Sequence, residues 1–253
     1  ANSDVAVNAV GVLSSTGKQS FDAIHENGAR SVARAAREAG VSTFVHISAI
    51  GADANSSSRY ARSKAAGEAA VLEEFPDAII LRPSIVFGPE DEFFNRFASM
   101  ARLSPLLPLI GGGRTKFQPV YVGDLAEAVA NIAEGSGVAG QIYEIGGPQQ
   151  FTFKNLLDRT QRYCGRSRGY LRMPFWLAKL QALLTWPLSN SMRPLTLDQV
   201  RMLQSDNVVS DQAKKEDRTL AALGVLHAHS VDAIVPSYLE RFTPKGQFSS
   251  YKC

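Results

Sequence analysis

The residue types with the most chemistry in this sequence are Ser48, Tyr60 and Lys64. They lie in the stretch FVHISAIGADANSSSRYARSK, residues 44–64. It reads as a short buried strand (Phe44, Val45, Ile47), a polar loop, and a helix opening near Ser56 to Ser58. Tyr60 and Lys64 are four apart, so on a helix the phenol and the ammonium share one face. A phenol with a pKa of about 10 is a poor proton donor at neutral pH. A nearby ammonium favours the phenolate and is expected to lower that value, so that Tyr60 exchanges a proton with a carbonyl oxygen. A Tyr-x-x-x-Lys alone arises by chance in about one chain in four. Its place here, after a strand ending in Ser48 and before an apolar strand, gives it weight.

The elements that must position these groups follow from periodicity. Val5 to Val10 is a β-rich run ending at Gly11, and Ser14 to Lys18 is a turn. A helix then carries Phe21, Ile24, Gly28, Val32, Ala35, Ala36 and Ala39 on one stripe and ends at Gly40. Thr43 to Ser48 is the strand of the opening stretch, and the Tyr60 helix closes at Pro76. The wholly apolar run Ala78 to Leu81 marks a central strand covered on both faces. Strand, helix, strand, helix, strand at this spacing calls for a parallel sheet with right-handed crossovers, a doubly wound α/β domain. Ligands in such sheets sit beyond the carboxyl ends of the strands, here Asn8–Gly11, Ser48–Gly51 and Pro83–Gly88. Further on, Phe93, Phe94, Phe97 and Met100 form a helix stripe. A strand at 118–122, a helix at 125–133, a strand at 141–145 and a helix at 151–163 follow.

Bulk properties exclude several classes. The 253 residues are 45% hydrophobic and 20% charged, ordinary globular values that allow one large domain or a domain with an appended lobe. A net charge of +3 with no basic run interleaved with aromatics disfavours nucleic-acid binding. Cys164 and Cys253 have no metal-ligand spacing and read as free thiols of a reducing compartment. Leu171 to Leu188 is too short and interrupted to span a bilayer. It reads as a helix packed on its own domain in preference to one resting on a membrane interface.

The Ser48 strand end, Tyr60-x-x-x-Lys64, the RPSIVFGP exit of the next strand and the helix opened by VYVGDLAEAV together resemble the extended or atypical short-chain dehydrogenase/reductases. More narrowly, SSSRYARSKAAGEAAVLEEFPDAIILRPSIVFGPEDEFFNRFASM followed by QPVYVGDLAEAV is similar to the nucleotide-binding accessory subunits of respiratory complex I and their alphaproteobacterial relatives. DQVRMLQSDNVV, residues 198–209, is similar to the tail region of that group. The resemblance implies a partial Rossmann sheet over residues 1–90 and a smaller C-terminal α/β substrate-type lobe over 91–244. Within that lobe 115–147 returns to the sheet, and 245–253 is a flexible tail. It implies an NADP or NAD cofactor, NADPH slightly favoured. Tyr60, Lys64 and Ser48 would be catalytic, and Asn8, Gly11, Ala49, Pro83, Ser84, Ile85 and Val86 would line the cofactor with them. No metal is implied. The partners would be complex I subunits at the membrane surface. The location would be cytoplasmic, peripheral on the inner face of the cytoplasmic membrane, or on the matrix side of a mitochondrion.

The sequence departs from the family pattern twice. Members carry a strand and a GxxGxxG loop ahead of the strand that here starts the chain, and no such loop occurs; Gly111 to Gly113 lies in the later lobe. The expectation is a chain lacking the first part of its Rossmann domain, with an exposed edge at Val5 to Val10 and weak dinucleotide binding. Secondly, active relatives exit this strand through two or three Ser/Thr residues, whereas Ser48 is followed by Ala49. Three readings stay open. One is an accessory protein with a structural or redox-sensing cofactor. Another is an active NAD(P)-dependent oxidoreductase or sugar-nucleotide epimerase/dehydratase using Tyr60 and Lys64, and the third an NADP(H)-sensing regulatory module. Asn8 either contacts the dinucleotide or caps a loop. Asp124 reads as a helix N-cap, His46 as a core histidine, and Glu90 and Asp91 as solvated. His25, His227 and His229 lack a spacing for metal or nucleophilic catalysis.

Overall fold

The computed structural model describes residues 3–15, 17, 19–185 and 195–244. In chain order, β1 (Val5–Asn8) leads to a π-helical segment (Asp22–Gly28) that runs into α1 (Ala29–Glu38). Then come β2 (Thr43–Ile47), α2 (Arg59–Glu74), β3 (Ile79–Pro83), β4 (Val86–Phe87), α3 (Glu92–Leu103) and β5 (Leu106–Ile110). Next are β6 (Lys116–Phe117), β7 (Val120–Tyr121), α4 (Val122–Ala133), β8 (Ile142–Ile145), β9 (Phe151–Thr152), α5 (Phe153–Tyr163), β10 (Gly169–Met173) and α6 (Phe175–Leu184). The chain closes with α7 (Leu197–Met202), α8 (Asp211–Lys215) and α9 (Val231–Leu239).

The main sheet is parallel, in the order β1-β2-β3-β8, with Asn8 opposite His46, Ile47 opposite Leu81 and Pro83 opposite Ile145. The carboxyl ends therefore meet at one edge, where the candidate site lies. Phe44, Ile80 and Leu81 are fully buried, as the apolar strands required. On one side α1 and α2 cover the sheet, packing Ala29, Ala33, Val71 and Phe75 on Phe44 of β2; on the other α4 does so through Ala128 and Ile132. A second core forms around Phe94, Leu109, Phe153, Leu156 and Val235 in the lobe built from α3, α5, α9 and the short strand pairs.

The helix before Gly40 corrects the periodicity reading. Its buried positions are His25, Ala29, Ala33 and Ala36, while Val32 is exposed. The π-segment accommodates an extra residue per turn and rotates everything after it, so of the 3.6-residue stripe drawn from Phe21 only Phe21 and Ala36 are buried. The rotation turns Arg30, Arg34 and Arg37 towards α2, where Arg30 pairs with Glu73 at 2.5 Å and Arg34 with Glu74 at 2.6 Å. Elsewhere the boundaries shift: the strand at Val5 stops at Asn8, 118–122 contains only β7, and α4 begins at Val122. Phe151 and Thr152 are not helical but pair antiparallel with β6. Residues 245–253, including Cys253, lie outside the described residues; Cys164 is a buried free thiol.

Two acidic residues have roles the sequence did not reveal. Asp124 is not an N-cap but sits fully buried in the first turn of α4, behind Tyr121 at the cap position. Its carboxylate accepts from His229 N at 2.7 Å and from His229 Nδ1 at 2.6 Å, so His229 has a partner after all. Asp91 is not simply solvated: it caps α3, accepting from Phe94 N, and takes the Tyr238 hydroxyl at 2.5 Å. Glu90 is exposed and His46 is buried, as expected.

Candidate functional site

Ser58 starts α2 with its hydroxyl accepting from Ala61 N. Two further first-turn donors, Arg59 N and Tyr60 N, bond the Asp198 carboxylate at 2.7 and 2.9 Å, and Ser58 Oγ donates to it at 2.8 Å. A carboxylate at a helix N-terminus suits both the orphan N–H groups and the helix dipole. The turn bearing Tyr60 is thus held from α7, across 138 positions of sequence.

From that turn Tyr60 packs edge-on against His25 (ring centroids 5.5 Å apart) and Phe21 (6.0 Å). Its hydroxyl has no hydrogen-bond partner among the described residues. Burial pushes the phenol up to about 12. This overturns the expectation of a lowered value: desolvation of the phenolate in an aromatic setting wins, and Lys64 supplies no opposing pull. Lys64 itself is buried, with burial pushing it down to about 8 against the weaker pull of Glu68. Its Nζ donates to the Ile47 carbonyl at 2.8 Å, tying the ammonium to the end of β2. A side-chain carbon added to Gly11 would lie 3.8 Å from that Nζ and 3.6 Å from His25 Nε2, so Gly11 borders the same space.

Ser48 follows directly on β2 and is 4% exposed, its backbone N–H bonded to Leu81 O. Its Oγ is buried with no hydrogen-bond partner among the described residues. Buried hydroxyls are nearly always paired, so this one marks a place where a partner is missing.

His25, which sequence spacing left without a role, is central. Val12 N–H donates to its Nε2 at 3.0 Å, which fixes the proton on Nδ1. Nδ1 lies 2.8 Å from Ser63 Oγ, whose own proton goes to the Tyr60 carbonyl. The imidazole is held neutral, its pKa lowered to about 4 by burial and then by Lys64. The π-segment is what swings His25 inward, and Gly67 on α2 is what lets it approach. A carbon added at Gly67 would stand 2.1 Å from the His25 carbonyl oxygen.

Asn8 caps its own loop: Oδ1 accepts from Val10 N, and Nδ2 lies 3.2 Å from His46 Nδ1. At the β3 exit, Pro83 O accepts from Ile50 N, and Ser84 Oγ donates to Asn207 Oδ1 at 2.7 Å. Asn207 Nδ2 reaches Ile50 O at 3.1 Å, so this tail residue, missed by local reading, bridges the ends of β2 and β3. Ala49 borders the loop beside Ser48, while Ile85 and Val86 run into β4, with Ile85 O taking Val120 N. The structure thus groups Gly11, Ser48, Tyr60 and Lys64 around one edge of the sheet. Ser84 stands at the same rim with its hydroxyl already engaged. Among the described residues there is no cluster of His, Cys, Asp and Glu able to hold a metal ion, and no helix long and apolar enough to cross a membrane.

A parallel sheet with Tyr and Lys on the helix after a Ser-ended strand defines a dinucleotide-type α/β protein, and residues 2–146 match the NAD dependent epimerase/dehydratase family; the chain belongs to that family. Among curated proteins it is 37% identical to an Arabidopsis thaliana protein named NADH dehydrogenase [ubiquinone] 1 alpha subcomplex subunit 9, mitochondrial, over 85% of this chain and 56% of that one. The Rattus norvegicus protein of the same name is 39% identical over 62% of this chain and 41% of its own length. The chain spans about half the length of these relatives. Among solved structures, DesIV, a dTDP-glucose 4,6-dehydratase from Streptomyces venezuelae, shares the fold with a TM-score of 0.67 at 19% identity, over 94% of this chain and 72% of that one.

Proposed function

We propose that this chain forms the nicotinamide side of an NAD(P)H-binding accessory protein of respiratory complex I, in which the dinucleotide serves structure or redox sensing and not turnover. The observation that carries the reading is the orphaned Ser48 hydroxyl. A buried unpaired polar group costs about 1–3 kcal/mol, and this one directly follows Ile47, whose carbonyl takes the Lys64 ammonium. A ribose or carboxamide would complete its bonding. In this reading Lys64 and Ser48 bind, the Gly11 loop admits the ring, and Asn207 keeps the rim closed. NADPH is the favoured form.

When bound, such a cofactor supplies hydride chemistry. This chain's residues support turnover poorly. With the phenol raised to about 12, Tyr60 exchanges protons slowly near neutrality. Ala49 stands where active relatives are expected to place a second hydroxyl donor, whose loss costs ~10²–10³ in rate. The Tyr60–Lys64 pair is what favours the second reading, an active NAD(P)-dependent reductase or epimerase. The protein would sit on the inner face of the cytoplasmic membrane or the mitochondrial matrix face, bound to complex I subunits.

Calorimetric titration of NADPH and NADH into this chain, and into the product of its complete reading frame, tests the proposal. The expected result is tighter binding of NADPH by the complete product, weakened about tenfold by Ser48→Ala, with no reduction of carbonyl or quinone substrates. Turnover that Tyr60→Phe abolishes would make the protein an enzyme. Failure of the complete product to bind either nucleotide would remove the cofactor altogether.

A further inference from the structure

The helix α6 is turned inside out. Its large apolar side chains Trp176, Leu180, Leu183 and Leu184 are 66, 44, 62 and 72% exposed, and Leu177 is 37% exposed. The residues it buries are Ala178 and Ala182, packed on Ile110, Met173 and Val200. Positions 176, 180, 183 and 184 follow helical spacing, so they make one continuous outward stripe. A helix that places alanines inward and a tryptophan and four leucines outward has its apolar face waiting for something other than its own core. The helix packs on its own domain, as expected, but through its alanines.

Charge says what that something is. Between Asp158 and Asp198 the sequence contains no acidic residue and seven arginines and lysines, of which Arg159 and Arg162 pair with Asp232. At the start of α6 a cleft of about 370 Å³ is lined by Gly111, Gly112, Arg114, Arg172 and Phe175. Among the described residues neither Arg114, Arg172 nor Lys179 forms an ion pair. Unpaired cations flanking an exposed Trp/Leu stripe are the pattern of an interfacial helix on anionic lipid, where the rings and leucines enter the acyl boundary and the cations take headgroup phosphates. At ten residues α6 is about 15 Å long and lies along a bilayer surface without crossing it.

We infer that the outward face of α6, with Arg114 and Arg172 at its head, docks this protein onto an anionic lipid bilayer. A second copy of the chain would offer the stripe apolar cover but would bring the same unpaired cations together, and a neutral protein groove would leave them without partners. The docking face is remote in sequence from Ser48, Tyr60 and Lys64, and it does not depend on the dinucleotide reading.

Vesicle co-sedimentation with the full chain tests this, using phosphatidylcholine alone and phosphatidylcholine mixed with phosphatidylglycerol. Trp176 fluorescence is followed in a Trp186→Phe background. Binding to the mixed vesicles is expected to be at least about tenfold tighter than to neutral ones and to fall with added salt, with a blue shift of the Trp176 emission. Leu180→Glu with Leu183→Glu should abolish binding to both vesicles. Arg114→Gln with Arg172→Gln should weaken only the anionic component, by about tenfold. All four positions are exposed, and an unchanged circular dichroism spectrum confirms the fold. The inference fails if the chain ignores anionic vesicles or if the variants bind as the parent does. It fails equally if light scattering shows a dimer that the leucine changes dissociate while vesicle binding is absent.

Discussion

Acid should unfold this protein through two histidines before its carboxylates matter. His25 and His46 are both 2% exposed, and burial first, then the Lys64 ammonium, lowers them to about 4 and about 3. Each therefore binds fewer protons folded than unfolded once the pH drops below the ordinary value near 6.5. Their contribution is complete above that value and is lost as pH falls towards 4 for His25 and 3 for His46. At a pH of about 5 the linkage relation gives a loss of about 2 kcal/mol for each. Glu74, Asp211, Glu216 and Asp232 are all held below the usual carboxylate range, Glu216 first by the Gln212 amide and the others by basic or hydroxyl neighbours, so their effect comes only at lower pH. Urea unfolding followed by circular dichroism at pH of about 7.5 and 5 isolates the effect. The parent chain should lose about 4 kcal/mol across that interval and His25→Gln about 2, since the amide can still accept from Val12 N–H and donate to Ser63 but does not titrate. Parallel loss in the two proteins would refute a buried neutral His25.

Other changes should report on the supports of the site. Asp198→Ala removes an ionised acceptor from Ser58, Arg59 and Tyr60 and should cost about 2–3 kcal/mol in urea unfolding. A loss under about 0.5 kcal/mol would mean that water caps α2 equally well. Gly67→Ala should destabilise by about 2 kcal/mol or more despite alanine's helix preference, because its carbon meets the His25 carbonyl; a raised melting temperature would contradict that contact. Lys64→Met should stabilise the free protein. Depression of the ammonium to about 8 costs about 3 kcal/mol near pH 7, against about 1 for its bond to Ile47 O. The parent's stability should also climb as pH rises from 8 towards 10.5, a rise the methionine variant lacks.

What could be read in advance was what local rules govern. The shared face of Tyr60 and Lys64, the buried strands around Phe44 and Ile80, and the parallel order all follow from spacing and burial within some forty residues. The failures each have a non-local cause. No 3.6-residue stripe anticipates a π-segment, and such a stripe singles out Ile24 and Gly28 where the structure buries His25. A phenol's environment depends on rings brought from another element, so spacing to Lys64 alone gives the Tyr60 shift the wrong sign. Asp198 and Asn207 serve partners more than a hundred residues away, and no spacing within the Tyr60 helix or the β3 exit points to them. For Asp124, the sequence pattern of a helix start was correct to within three residues, but its partner His229 lies 105 positions on.

These distant tethers have a consequence for how the protein is made. The helix bearing Tyr60 leaves the ribosome well before the carboxylate that braces its first turn, which is translated 138 residues later. The bridge between the ends of β2 and β3 arrives with Asn207, and the partner of Asp124 with His229. A nascent chain halted before residue 198 would hold the sheet and α2 with the Ser58 cap alone, leaving Arg59 N and Tyr60 N without their carboxylate. Completion of synthesis, more than formation of the sheet, is then the event that sets the site, and prematurely ended chains would present loose helix ends to proteases before they could engage a ligand.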